Sequence, residues 1–525
     1  MTATLIESEE RDVIVVGGGI SGLTVAWHLR RAGVDVALLE AGPRVGGSIQ
    51  TERRDGFLLE KGPFNVIVRD PAFEELLAGL ADRINVVTAS PQAENRYIYR
   101  HGDIHVVPTN PIKLFHSPLL TFGGACRAVR GLFFSKRGRR EETTLEEFAV
   151  RRFGREVADT LLSAVVAGIL AGDIGKLSAY ACFPMLRDFD QKSVSPLGRT
   201  ARRIPSMIRK RWNPNLRRKW RGLVSIDSGL GGLCEAIASM LGADVHTGCR
   251  VEFIDPTDDG FLLRVGGTDK AALSVRMASE RDAAGTYKLG QHSGRGHGQG
   301  SFVRATLMEP EESFHQREFH CRRLVLATPA CETARQLQPI APEASRLLAG
   351  IESSSLTVVN LAFRRSDVGH PLDGFGFLVP RNEPDFPLMG VLWADSAFPH
   401  HAPPEYRLMR AFFGGARTPD VIRRSADELV RTACTALGGL LDIHGEPVFS
   451  DVCPYPDAIP QYYLGHERKV AELRRAVARV PGLALAGNYL DGVSINDCIK
   501  LGRQVAVELI NQPRHSPTQL ERIST

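Results

Sequence analysis

Three glycines and one carboxylate carry the first chemistry in the chain. Gly17, Gly19 and Gly22 stand in the order G-x-G-x-x-G, and Glu40 follows 18 residues after the last. Gly17 permits a tight turn, Gly19 lets the backbone approach a pyrophosphate, and Gly22 lets a helix pack closely on a strand. Ile20 and Ser21 open that helix, whose free N–H groups favour a phosphate. Glu40 is placed to accept hydrogen bonds from a ribose hydroxyl, and its charge would repel a 2′-phosphate. Metal chemistry has little support. The nine cysteines include no C-x-x-C pair, and His292 and His297 lie in a Gly-rich run with no rigid element to hold them. No metal site is therefore expected.

The flanking pattern supplies the elements that this chemistry needs. Asp12–Val16 is a β-branched run, Leu23–Arg31 has helical periodicity, Gly33 makes a turn, and Val34–Leu39 leads into Glu40. Strand, glycine turn, helix, strand and terminal acid are thus in register. After Glu40 come Ala41, Gly42, Pro43, Arg44, Val45, Gly46 and Gly47. NAD does not need an arginine and a glycine pair there; the run resembles the extended dinucleotide motif of the flavin amine oxidase superfamily. FAD is the expected cofactor. Near the C-terminus, Leu483–Asn488 reads as a strand ending in Gly487 and Asn488. The segment Val493-Ser494-Ile495 then precedes a helix, which can aim a second helix N-terminus at the flavin. Gly229–Gly232 is not a second fingerprint, because no third glycine and no strand–acid partner follow. With one dinucleotide site, a reduced flavin must pass its electrons to oxygen, a quinone or a carrier, which favours an oxidase.

The remaining chain is ordinary in bulk. It has 525 residues, a net charge of +5, 43% hydrophobic and 24% charged residues, as expected of a globular protein of two to four domains. The start, MTATLIESEERD, is too acidic for a signal or transit peptide, and no run reaches the ~20 apolar residues of a membrane span. The sparse, irregular cysteines read as reduced thiols in the cytoplasm. Residues 95–107 read as a β-hairpin outside the dinucleotide unit, 112–221 as mainly helical, and 333–480 as a second sheet with helices. From Arg187 to Arg221 there are 12 Lys/Arg against Asp188 and Asp190. A +10 block suits an anionic membrane surface, at about 1 kcal/mol per basic residue near the lipid. Nucleic acid is not expected, since no recognition motif accompanies the block. Residues 267–320 read as a flexible insertion and 512–525 as a frayed tail.

Longer motifs then point to a family. They are Val16–Leu23, Glu40–Gly47, Glu60-Lys61-Gly62-Pro63, Asn95-Arg96-Tyr97, Ala167–Asp173 with Leu177-Ser178 and Phe183-Pro184, Gly374–Pro380, Pro460-Gln461-Tyr462 with Gly465-His466, and Gly487-Asn488. Together the set resembles the FAD-dependent, oxygen-dependent porphyrinogen oxidases, over nearly the whole chain. The resemblance implies an α/β and α+β fold in three parts. A discontinuous Rossmann-like FAD domain takes 1–85, 222–266, 321–332 and 480–511. A mixed-sheet substrate domain takes 86–110 and 333–479. A helical membrane-facing domain takes 111–221. Gly62, Pro63 and Val251 join the cofactor residues. Arg96 is expected to pair with a substrate propionate, Phe375, Phe377 and Leu378 to lie on the tetrapyrrole, and Ala167, Gly168 and Gly172 to line the opposite wall. The implied reaction is oxidation of protoporphyrinogen IX to protoporphyrin IX, with O2 reduced to H2O2, in haem synthesis. Coproporphyrinogen III is the alternative substrate; an amine oxidase or carotenoid desaturase is more distant. No general base is assigned. The implied setting is a cytoplasmic enzyme peripheral to the membrane, compatible with a homodimer and with hand-over to a ferrochelatase.

Overall fold

The computed structural model describes residues 7–108, 111–133, 142–191, 222–266 and 317–512. The fold has two large sheets, each of seven strands, with helices against both. The expected basic block beyond Gln191, most of the expected insertion and the expected tail lie outside the described residues.

The first sheet runs, strand by strand, Arg250–Thr257, Gly260–Gly266, Arg317–Leu326, Glu7–Val16, Val36–Leu39 and Val245–His246, with Leu483–Leu485 paired to the upper half of Arg317–Leu326. Five strands around the glycine turn, Leu483–Leu485, Arg317–Leu326, Glu7–Val16, Val36–Leu39 and Val245–His246, are mutually parallel. Val13, Ile14, Val15, Leu38, Leu39, Leu324 and Val325 are fully buried. This explains the continuous apolar runs, because a parallel sheet is covered on both faces. Helices Ile20–Arg31, Leu230–Leu241 and Ile495–Asn511 join the same core as the sheet. Gly502 sits so close to Thr24 that a Cβ there would lie 3.0 Å from the Ser21 carbonyl oxygen. The strand expected from Arg323 starts at Arg317, so Arg317 to His320 belong to the sheet and not to the insertion.

The second sheet runs Phe449–Pro460, Ser353–Arg364, Tyr406–Gly414, Gly390–Trp393, Gly376–Leu378, Tyr97–Arg100 and Asp103–Val106. The hairpin read from residues 95–107 therefore forms one edge of this sheet. Sequence reading missed the opposite edge, Phe449–Pro460, because Pro454 and Pro456 interrupt its pattern. Edge position accommodates them: among the described residues the strand pairs only with Ser353–Arg364, and proline is confined to places where no ladder N–H is needed. The sheet's outer face is covered by helix Ala426–Gly438, in a core with Val359, Leu361, Phe363, Val391, Trp393, Met409, Ala411 and Phe413.

Between Pro111 and Gln191 every described element is a helix. One turn, Ala158–Leu162, is wound as a π-helix and runs into helix Ser163–Leu170. Arg381, just past the strand Gly376–Leu378, fastens this helical part to the sheet. It bonds Asp159 at 2.5 Å and Glu146 at 2.7 Å, and these bonds raise its pKa further. Among the described residues, no helix is long and apolar enough to cross a membrane.

Candidate active site

The dinucleotide cradle forms at the C-terminal edge of the first sheet. Gly17 has φ +107°, and a Cβ there would lie 2.8 Å from the Ala327 carbonyl oxygen. A Cβ on Gly22 would lie 2.0 Å from the Gly17 carbonyl oxygen. Gly19 differs: its Cβ would meet nothing within 4 Å. Open space over Gly19, at the head of a helix with no side-chain cap, is what a pyrophosphate requires. Glu40 accepts from the Gly18 N–H at 2.6 Å and the Gly42 N–H at 2.7 Å, which locks the acid between the two glycine loops. Gly46 N–H bonds the Gly18 carbonyl at 2.8 Å, and a Cβ on Gly47 would lie 3.4 Å from the Gly19 Cα. Arg44 stands exposed on this loop, with Ala41 half-buried at its start. Val251 lies just beyond, because Cys249 N–H bonds the Glu40 carbonyl. The Val251 side chain is interior, and its carbonyl accepts from Arg335. The residues present fit FAD: Gly17 to Gly22 would hold the pyrophosphate and Glu40 the ribose.

The cradle continues toward the second sheet. A Cβ on Gly62 would lie 1.9 Å from the Ser48 carbonyl oxygen, so Gly62-Pro63 abuts the Gly46-Gly47 loop. From the C-terminal side, Gly487 is pressed against the ring of buried Tyr489. The Asn488 carbonyl and the Gly492 N–H share the Tyr462 hydroxyl. Ser494 caps helix Ile495–Asn511, and its hydroxyl and N–H are both engaged by Asp497. It holds the helix end in place. Val493 turns toward the helical part, while Ile495 packs on the first sheet's core.

Two charged groups sit at the seam of the sheets. Glu60 is 1% exposed. Burial pushes its carboxyl up to about 7, against hydrogen bonds from the Thr51 hydroxyl and the Leu230 N–H. Arg410, also 1% exposed, donates to the Gly62 carbonyl at 2.7 Å and to Asn360 at 3.3 Å. Burial lowers its guanidinium to about 10.

The sheet's inner face carries an incompletely packed apolar surface, one wall of a candidate substrate cleft. Leu356, Leu378, Leu392 and Phe412 face inward and are only partly buried. Helix Ser163–Leu170 stands opposite: Ala167 is buried against Met389, Leu356 and Phe412, and a Cβ on Gly168 would lie 2.5 Å from Leu378 Cδ2. Gly172 is walled in by Leu177 and Gln461 and supports the turn without facing open space. Phe375 lies beside Phe64, with ring centroids 6.1 Å apart, and the Arg96 guanidinium stands 5.1 Å over its face. Arg96 makes no ion pair among the described residues. It is open to water yet flanked by enough protein that desolvation lowers its pKa.

Phe377 does not join them. It is 1% exposed, in the core under helix Ala426–Gly438, with Phe386 at 6.1 Å. Side chains alternate across a strand, so Leu378 takes the cleft face and Phe377 the other. Its expected contact with the tetrapyrrole is corrected to a scaffold role. Sequence reading also missed Arg410, Phe412 and Arg417. Arg410 left a signal: a lone arginine inside Leu408–Phe413, where a buried strand allows no unpaired charge without a reason.

Cradle and seam together are the arrangement of a flavoprotein oxidoreductase. The family described as flavin containing amine oxidoreductase matches residues 20–283 and 301–510. The chain belongs to that family and is an FAD-dependent oxidase. It is 26% identical over 510 residues to the coproporphyrinogen III oxidase of Bacillus subtilis, covering 94% of this chain and 97% of that protein. It is 29% identical over 547 residues to the protoporphyrinogen oxidase of Homo sapiens, covering 96% and 100%. A crystal structure from Exiguobacterium assigned as a protoporphyrinogen oxidase superposes with a TM-score of 0.72 at 23% identity, covering 96% of this chain and 99% of that one. That likeness shows the fold.

Proposed function

We propose that the protein oxidises a porphyrinogen to its porphyrin, with protoporphyrinogen IX as the substrate. One observation carries this reading: an arginine with no carboxylate partner among the described residues stands at the rim of the apolar surface beside the cradle. A porphyrinogen is an apolar macrocycle with carboxylates on its edge, and a guanidinium fork matches a carboxylate bidentately. The names of the relatives support the same substrate class.

The residues divide the work. Arg96 anchors a propionate. Leu378 and Phe412 offer the macrocycle an apolar face beside helix Ser163–Leu170, and that surface excludes water. FAD, when bound, would supply the redox chemistry, six electrons passing from the substrate to three O2 to give three H2O2. The chain's own contribution is orientation and a dry cleft.

A second reading, coproporphyrinogen III, is favoured by Arg417. It donates to the Val379 carbonyl at 3.3 Å and makes no ion pair among the described residues. Its pKa is lowered by desolvation. With Arg96 it places a cation at each end of the strand Gly376–Leu378, which suits a substrate with more carboxylates. Porphyrin fluorescence, followed aerobically with both porphyrinogens in parallel, decides. Preference for protoporphyrinogen supports the first reading and preference for coproporphyrinogen the second. Turnover of neither by flavin-loaded protein rejects both.

The proposal extends to a peripheral membrane position in the cytoplasm. Phe122, Ile169 and Met185 of the helical part are 73%, 54% and 64% exposed, and the basic block belongs to the same part of the chain. Sedimentation with anionic but not zwitterionic vesicles is the expected result. Sizing of the holoenzyme checks the homodimer, and co-sedimentation with a ferrochelatase checks the hand-over.

A further inference from the structure

Helix Ser163–Leu170 is held to the second sheet at both ends, and the hold at its first end is made of charge. Arg381 lies just beyond the strand Gly376–Leu378, and its guanidinium takes two carboxylates of the helical part at once. Nη1 and Nη2 fork onto the two oxygens of Glu146 at 3.1 and 2.7 Å. Nε and Nη2 share one oxygen of Asp159 at 3.0 and 2.5 Å. The Arg381 backbone N–H donates to the Ser163 hydroxyl at 3.0 Å, and that hydroxyl donates to the Asp159 carbonyl. Asn382, the next residue, and Arg100 both donate to the Thr160 hydroxyl. At the far end of the helix the Leu170 carbonyl accepts from Gln461 at 2.9 Å, and the Ala171 carbonyl accepts from the Ala416 N–H at 2.7 Å.

An isolated surface ion pair would count for little. This one is a network. Arg381, Glu146 and Asp159 are only 22%, 24% and 23% exposed, and the fork on Glu146 is bidentate, the geometry that fixes orientation as well as distance. What it fixes is the π-turn Ala158–Leu162, which carries Asp159 and Thr160 and leads straight into Ser163. Such turns are rare and recur at functional sites. The held helix meets the apolar face directly. A Cβ on Gly168 would lie 2.5 Å from Leu378 Cδ2 and 3.1 Å from Cδ1, so the seat of the helix decides where the Leu378 side chain can go.

We propose that Arg381 is a positioning residue for the substrate: by clamping the π-turn to the sheet it seats helix Ser163–Leu170 against Leu378, sets the room beside that side chain, and so discriminates between porphyrinogens by size. This rests on porphyrinogen oxidation, the reading given above. Coproporphyrinogen III carries propionates where protoporphyrinogen IX carries smaller vinyl groups, so a wall that gives way costs the smaller, closer-fitting substrate more.

The test compares FAD-loaded wild type, Arg381→Met, Asp159→Asn and the double variant with both porphyrinogens, well below the lowest melting temperature. Arg381→Met keeps the length of the side chain and loses its fork. It should raise KM for protoporphyrinogen IX by about fivefold or more with kcat and the FAD Kd within about twofold of wild type. The ratio of the two kcat/KM values should move about threefold or more towards coproporphyrinogen III. Asp159→Asn should move the ratio the same way, and the double variant should match Arg381→Met within about twofold, because both changes open one clamp. A role in general stability lowers the melting temperature and leaves the ratio alone. A ratio that is unmoved, or moved the other way, in folded and flavin-loaded Arg381→Met overturns the proposal, as do losses that multiply in the double variant. If Arg381→Met does not fold, the near-isosteric Asp159→Asn carries the same test, and an unmoved ratio there overturns the proposal. If wild type takes only one of the two substrates, the rise in its KM is the criterion. Wild-type protein that oxidises neither rejects the porphyrinogen reading and the clamp with it, whereas an active wild type with indifferent variants rejects the clamp alone.

Discussion

Gly19 and Gly22 are the same residue type in one motif, yet the structure gives them opposite reasons to be glycine. A methyl group at residue 22 would sit 2.0 Å from the Gly17 carbonyl oxygen and 3.1 Å from the Ala327 Cβ. Non-bonded carbon contacts are favourable near 3.5–4.0 Å, so helix and turn must separate by more than about 1 Å. Overpacking of this kind costs about 1–3 kcal/mol or more, and Gly22→Ala should lower the melting temperature of the FAD-free protein by roughly 5 °C. A methyl group at residue 19 meets no protein atom within 4 Å, and the backbone there has φ −69°. Gly19→Ala should leave FAD-free stability within about 1 kcal/mol. It should weaken FAD at least tenfold, about 1.4 kcal/mol, because the methyl takes the pyrophosphate's space. Thermal unfolding without and with added FAD separates the two, since ligand stabilisation scales as the logarithm of [FAD]/Kd. The reasoning fails if Gly19→Ala binds FAD as wild type does, or if Gly22→Ala melts with wild type in the absence of FAD.

The remaining expectations are shorter. Arg96→Ala should lower kcat/KM for a porphyrinogen by roughly 10- to 100-fold, from loss of a charge-assisted pair of about 1.5–3 kcal/mol. Its melting point should change little, since among the described residues the side chain makes no ion pair and its contact is the exposed one with the Phe375 ring; a melting shift with unchanged KM would contradict the anchor. Phe377→Leu should cost about 1–3 kcal/mol in urea unfolding with little change in KM, whereas Phe375→Leu should do the reverse. Glu60 gives a pH signature. Its carboxyl titrates near 4.5 when exposed and at about 7 when folded, so between these values the folded state holds a proton that the unfolded state has released. Stability is therefore lost as pH rises through this window, by roughly 3 kcal/mol in total. Glu60→Gln keeps an acceptor for Leu230 and Thr51 and should flatten the dependence; urea midpoints at pH 5 and pH 8 that fall in parallel for both proteins would exclude Glu60 as its source.

The chain alone determined the parts built from local spacing. The glycine fingerprint, the acid at residue 40, the second glycine loop and the hairpin at 95–107 are short-range patterns, and backbone geometry constrains them within a few residues. Most strands of both sheets are legible for the same reason. The edge strand Phe449–Pro460 is not, because whether its prolines are tolerated depends on which side of the sheet stays unpaired. Which aromatic faces the cleft was likewise hidden: regular alternation would put Phe375 and Phe377 on one face, but Phe375 precedes the strand and Gly376 has φ +132°, so one borders Arg96 and the other is core. The seam was least legible. Arg410 and Gly62 are 348 residues apart, and only the packed structure excludes water from both Glu60 and Arg410. Sequence specifies charge type. Burial, which is a property of everything around a residue, decides what that charge can do.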